Sequence, residues 1–116
     1  MTRPVNAAKI FNLHDDIRHI IIADSMGAVL EIHSRAKKQW PQDVQRQFSG
    51  IMAAVTFGLS EKIKEIAGEI EHITVTYEKM KIIIIRSSKY FYIVSARRNL
   101  PNHIIDELIN LMKKEG

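Results

Sequence analysis

The chain has 116 residues, enough for one domain with a core of its own, and its 46% hydrophobic and 26% charged residues exclude a disordered or fibrous polypeptide. The absence of cysteine excludes disulfides, thiolate metal sites and a cysteine nucleophile. A formal charge of +4 raises nucleic acid or an anionic surface as a partner, but the basic residues are dispersed: Arg35 with Lys37 and Lys38, Lys79 with Lys81, Arg97 with Arg98.

The longest uncharged stretch, 47–60, is shorter than the ~20 residues that a bilayer crossing needs. The N-terminal "MTRPVNAAKIFNLHDD" carries Lys9, Asp15 and Asp16 and lacks the apolar run of a secretory signal. The expectation is one soluble, cytoplasmic domain spanning residues 1–116, with no membrane span and no internal repeat or linker.

Pro4 precedes a short helical stretch, "VNAAKIFNLHD", in which Val5, Ala8, Ile10 and Phe11 recur at helical spacing. Next comes "IRHIIIADSMGAVLEIHS", two β-rich halves around Asp24-Ser25-Met26-Gly27. It reads as a β-hairpin whose turn uses the conformational freedom of Gly27. In the second half Ala28, Leu30 and Ile32 alternate with Glu31 and His33, the pattern of an edge strand wetted on one face.

Pro41 then opens a long helix, from about Gln42 to Ala67, and Gly68 closes it. A three-stranded meander follows in "EIEHITVTY", "KIIIIR" and "YFYIVSA", with turns at Glu78-Lys79 and Ser87-Ser88. The run Ile82 to Ile85 has no polar alternation, so both of its faces should be covered. Pro101 opens a terminal helix with Ile104, Ile105, Leu108, Leu111 and Met112 on one face and Asp106, Glu107, Asn110 and Lys113 on the other.

The long helix is apolar or small nearly all round its middle, "FSGIMAAVTFGL". On a wheel, Val44, Phe48, Ile51, Val55, Leu59 and Ile66 form one stripe, which is expected to lie on the sheet. The opposite stripe holds Arg46, Ser49, Gly50, Ala53, Phe57, Ser60 and Lys64, flanked by Met52 and Thr56. Gly50 and Gly58 each cost a helix about 1 kcal/mol relative to alanine, an expense that close approach of another element would offset. That element is either the Trp40 loop of the same chain or a second subunit.

The element order, "HIIIADSMGAVLEI", the small-residue-rich central helix and "YFYIVSA" together resemble the roadblock/dynein-light-chain family of the roadblock–longin superfamily. The resemblance runs from about Ala7 to Glu115. It implies an α/β fold of α+β type, ordered α-β-β-α-β-β-β-α. The five-stranded, mainly antiparallel sheet would have the order 2-1-5-4-3, with the second helix on one face and the first and third on the other. The third strand would lie at an edge, where a second copy could pair.

Family members act as dimeric platforms: they bind or regulate Ras-like small GTPases, serve as motor-protein light chains or anchor signalling complexes. The resemblance therefore implies a non-enzymatic scaffold that forms a homodimer, or a heterodimer with a paralogue, and engages a small GTPase or related complex. The expected dimer interface is Gly50, Ala53 and Phe57 with Ile73, Val75 and Tyr77. The expected partner surface is Met52, Thr56, Ser60 and Lys64. The loop Arg35 to Pro41 and the basic balance match no family motif.

Catalytic, cofactor-binding and metal residues are not expected. The five glycines include no phosphate loop, so the chain would bind a GTPase rather than be one. His14, His19, His33, His72 and His103 lack a zinc-site spacing. Asp15-Asp16, Ser25 and Ser87-Ser88 have no recognisable catalytic partner. Tyr77, Tyr90, Phe91 and Tyr92 could stack bases, but the glycine-bearing aromatic motif of RNA-binding sheets is missing. The alternatives are a PAS-like small-ligand sensor, needing a chamber between sheet and helix, and a basic nucleic-acid-binding protein.

Overall fold

A computed structural model describes residues 3–115. Its elements are α1 (Ala7–Phe11), β1 (Ile17–Asp24), β2 (Val29–Ser34), α2 (Gln42–Ala67), β3 (His72–Thr76), β4 (Met80–Arg86), β5 (Tyr90–Arg97) and α3 (Asn102–Glu115). The strands form one sheet in the order β2-β1-β5-β4-β3, and every neighbouring pair is antiparallel. This is the architecture that the resemblance implies. No described helix is long and apolar enough to cross a membrane.

Strand alternation sends side chains to two cores. On one face Ile20, Ile22, Ile83, Ile85 and Tyr92 meet Ile10 of α1 and Ile104, Leu108 and Met112 of α3. On the other, Ile21, Ile82, Ile84, Phe91 and Ile93 meet Met52 and Ala53 of α2. Ile82 to Ile85 are all at most 2% exposed, so β4 is covered on both faces as its unbroken apolar run requires.

Local chemistry sets the connections. Asn6 caps α1 by accepting from the Ala8 N–H at 2.8 Å. At the β1–β2 turn, Asp24 Oδ1 accepts from the N–H groups of Met26 (2.9 Å) and Ala28 (3.0 Å), while Gly27 takes φ +88°. Val5, just before α1, is tied down by the Tyr92 hydroxyl, which accepts from its N–H at 3.0 Å.

Arg35 accounts for part of the loop that matched no motif. Its guanidinium donates to the carbonyls of Ile17 (2.7 Å), Phe11 (3.1 Å) and His14, and lies 4.7 Å from the Phe11 ring centroid. One planar fork thus satisfies the end of α1 and the start of β1.

The orientation of α2 corrects the sequence expectation. The face on the sheet consists of Gln45, Ser49, Met52, Ala53, Thr56 and Ser60. The stripe expected there points outward: Val44, Ile51, Val55, Leu59 and Ile66 are exposed, and Phe48 is half-buried. The helix is rotated by roughly a third of a turn from the hydropathy reading. The sheet-facing side combines Met52 and Ala53, which pack on Ile21, Ile82, Ile84 and Phe91, with hydroxyl side chains.

The hydroxyls on that face are largely satisfied from within. Ser49 Oγ donates to Gly27 O at 2.9 Å, Thr56 Oγ1 donates to Met52 O at 2.7 Å, and Ser60 Oγ accepts from Arg86 at 3.3 Å. The break in α2 falls at Ile63 (φ −130°, ψ 16°) rather than at either glycine. A second correction concerns β2. It is an edge strand, but α2 does not cover it, so Leu30 and Ile32 remain 52% and 37% exposed.

Candidate interaction surface

Two unpartnered features lie side by side at one margin of the molecule. The first is the open edge of β3, which among the described residues pairs only with β4. No proline interrupts it, so half of its backbone groups present a ladder to a further strand. Ile73 and Val75 turn toward the α2 layer and are partly buried there, and Tyr77 just beyond the strand is 47% exposed.

The second is the outward stripe of α2. Val44, Ile51, Val55 and Leu59 recur at spacings of seven, four and four residues and are 42–59% exposed. Ile63 at the kink and Ile66 beyond it continue the apolar surface. A row of this length in water is the mark of a surface meant to be covered.

Stripe and edge are joined by a groove of about 660 Å³, walled by Trp40, Val44, Phe48, Tyr77, Met80 and Ile82. Lys79 and Glu78 stand at its rim. Trp40 is held there by ring contacts to Phe48 (5.8 Å, edge-on) and His19 (5.9 Å). The Trp40 loop covers only the first turns of α2, so intrachain cover does not extend to Val55 or Phe57.

The predicted site residues divide sharply. Ile73, Val75 and Tyr77 lie along the open edge. Ala53 is buried against the β1–β2 turn, where a Cβ on Gly27 would come within 2.8 Å of the Ala53 Cβ. Gly50 sits beside the same turn, its Cα 3.3 Å from that position. Phe57, two turns further along this flank, is 60% exposed. The flank carrying Gly50 and Phe57 therefore faces the β1–β2 side, away from β3.

Of the expected partner surface, Met52, Thr56 and Ser60 are buried on the sheet, at 8%, 2% and 4% exposure. Only Lys64 is open, and it pairs with Glu69 at 3.0 Å. Ile51, Val55 and Leu59 are the surface residues that hydropathy assigned to the interior. Their helical spacing was visible, but its direction was not.

Burial, then the neighbouring Arg18 charge, holds the His19 imidazole below the ordinary 6.5, favouring the neutral form. Among the described residues no group of three or more His, Cys, Asp or Glu side chains is arranged to hold a metal.

Comparison with curated proteins yields no sequence relative. Among solved structures, the fold is similar to a Roadblock/LC7 domain from Streptomyces avermitilis, with TM-score 0.72 and 10% identity over 97% of this chain and 93% of that one. It is also similar to MglB from Myxococcus xanthus, with TM-score 0.68 and 12% identity over 96% and 94%. A third similar structure is described as MglB with a tetrameric arrangement, with TM-score 0.67 and 10% identity over 94% and 86%. At these identities the likeness carries the fold alone. The family model for the Roadblock/LC7 domain matches residues 8–96, and the chain belongs to that family.

Proposed function

We propose that the chain is a non-enzymatic dimeric interaction module whose partner is a Ras-like small GTPase or a complex built around one. The observation that carries the dimer is the exposed α2 stripe beside the unpaired β3 edge. Two-fold pairing of β3 with its counterpart would extend the sheet and bring two α2 stripes together, removing both liabilities at once. The dimer surface in this reading is Val44, Ile51, Val55 and Leu59 with Ile73, Val75 and Tyr77.

The other flank of α2 stays open in such a dimer. It presents Gly50 and Phe57 on the side of the β1–β2 hairpin, whose Met26, Leu30 and Ile32 are exposed, Met26 at 84%. That flank is the proposed partner surface. Family membership supports a GTPase as the partner class. If catalysis is regulated, the reacting groups belong to the GTPase, and this chain acts by positioning.

Light scattering on the eluting protein tests the dimer. The wild type should elute as a dimer at micromolar concentration, and Val55→Asp as a folded monomer. A monomeric wild type, or a Val55→Asp dimer of unchanged mass, refutes the reading. Calorimetric titration with a Ras-like GTPase from the same source, loaded with GDP or a GTP analogue, tests the partner. Phe57→Glu should weaken that binding at least tenfold while leaving the dimer intact. No binding in either nucleotide state rejects a GTPase as the partner.

A further inference from the structure

Trp40, the single tryptophan of the chain, separates two spaces. Outside it is the open groove; on its other side is a small, mostly closed pocket of about 10 Å³, lined by Trp40, by His19, Ser34, Gln45 and Ser95, and by Ile21, Ile32 and Ile93. The pocket is too small for an organic ligand but matches the space that one water molecule occupies.

Two of its walls carry buried polar atoms with no hydrogen-bond partner in the chain, Gln45 Oε1 and Ser95 Oγ. Their side chains belong to residues only 5% and 2% exposed. The orientation of the Gln45 amide is set by its other end, since Nε2 donates to Trp40 O at 3.0 Å. Flipping the amide would oppose two acceptors there, so Oε1 is the atom turned toward the pocket. The Ser34 hydroxyl is engaged twice, accepting from Ala36 N at 3.2 Å and lying 3.3 Å from His19 Nδ1, and so does not relieve either atom.

We infer that this pocket is a hydration site holding one internal water, which donates to Gln45 Oε1 and pairs with Ser95 Oγ. Two such partners are the minimum that an internal water keeps. The water links β5 to the first turn of α2, whose Gln45 in turn holds the Trp40 main-chain carbonyl. One wall of the outer groove is thereby positioned by solvent inside the protein. A dry pocket would leave two buried polar atoms unsatisfied within one small space, an arrangement that folded proteins rarely keep. This inference is independent of the partner that the groove takes.

Magnetic relaxation dispersion of water ¹⁷O on the full chain counts waters held longer than the tumbling time. The wild type should show a long-lived water, and Ser95→Ala should lose one water's amplitude. Thermal unfolding separates the hydrated from the dry pocket by sign. In a hydrated pocket Ser95→Ala deprives the water of a partner and lowers Tm by about 4 °C; in a dry one it removes an unsatisfied hydroxyl and raises Tm. Gln45→Leu should lose the same water and shift Trp40 emission as the indole loosens. No long-lived water in the wild type, an amplitude unchanged by both substitutions, or a raised Tm in Ser95→Ala overturns the inference.

Discussion

Gly27 lies directly beneath Ala53: a Cβ placed on Gly27 would fall 2.8 Å from the Ala53 Cβ and 3.2 Å from the Ser49 carbonyl oxygen. The glycine also holds φ +88°, where an L side chain is strained. Gly27→Ala therefore meets two penalties, one conformational and one steric. Together they should cost about 3 kcal/mol and lower Tm by roughly 10 °C, measurable by calorimetry. Ala53→Gly, which opens the contact, should restore part of that loss when combined with it.

Adjacent residues on α2 give a test of its rotation. Ile51 is 59% exposed and Met52 is 8% exposed. Met52→Asp should bury an unpaired carboxylate and leave no cooperative thermal transition. Ile51→Asp should retain the wild-type circular dichroism of the fold and affect only association. Equal damage from both substitutions would mean that the helix presents a different face to the sheet.

Arg35 should tolerate no conservative replacement. A lysine ammonium cannot reach the Ile17, Phe11 and His14 carbonyls in one plane, so Arg35→Lys leaves at least one of them unpaired. The expected loss is about 2 kcal/mol by urea denaturation, with faster amide exchange at the end of α1.

Acidification should weaken the Trp40 corner. The folded imidazole of His19 titrates below its ordinary 6.5, so the unfolded chain binds more protons than the folded one in that window. The stability conferred by keeping His19 neutral is complete above pH 6.5 and declines as pH falls from there through the folded value. Tm measured from pH 7.5 to 5 should fall less in His19→Gln than in the wild type, and parallel curves would contradict the assignment.

Much of the architecture was legible in the chain itself. Pro41 and Gly68 bracket α2, Asp24 and Gly27 mark the hairpin turn, and the unbroken isoleucines of β4 foretold a strand covered on both faces. These are local signals, acting through dihedral preference and side-chain period. The open edge at β3 was legible through the family resemblance and through its lack of proline. The role of Arg35 was not, because its three carbonyl partners come from elements up to 24 residues away.

The facing of α2 is the deepest contrast. Sequence by itself determined that the helix exists, where it begins and ends, and that apolar groups line a broad part of its circumference, since all three follow from backbone preference and spacing. Only the tertiary structure decided which side meets the sheet. Hydropathy ranks side chains by their transfer from water, whereas docking on the sheet also depends on which side chains find partners there: Met52 and Ala53 pack on Ile21, Ile82, Ile84 and Phe91, Ser49, Thr56 and Ser60 are hydrogen-bonded, and Val55 and Leu59 are left outside.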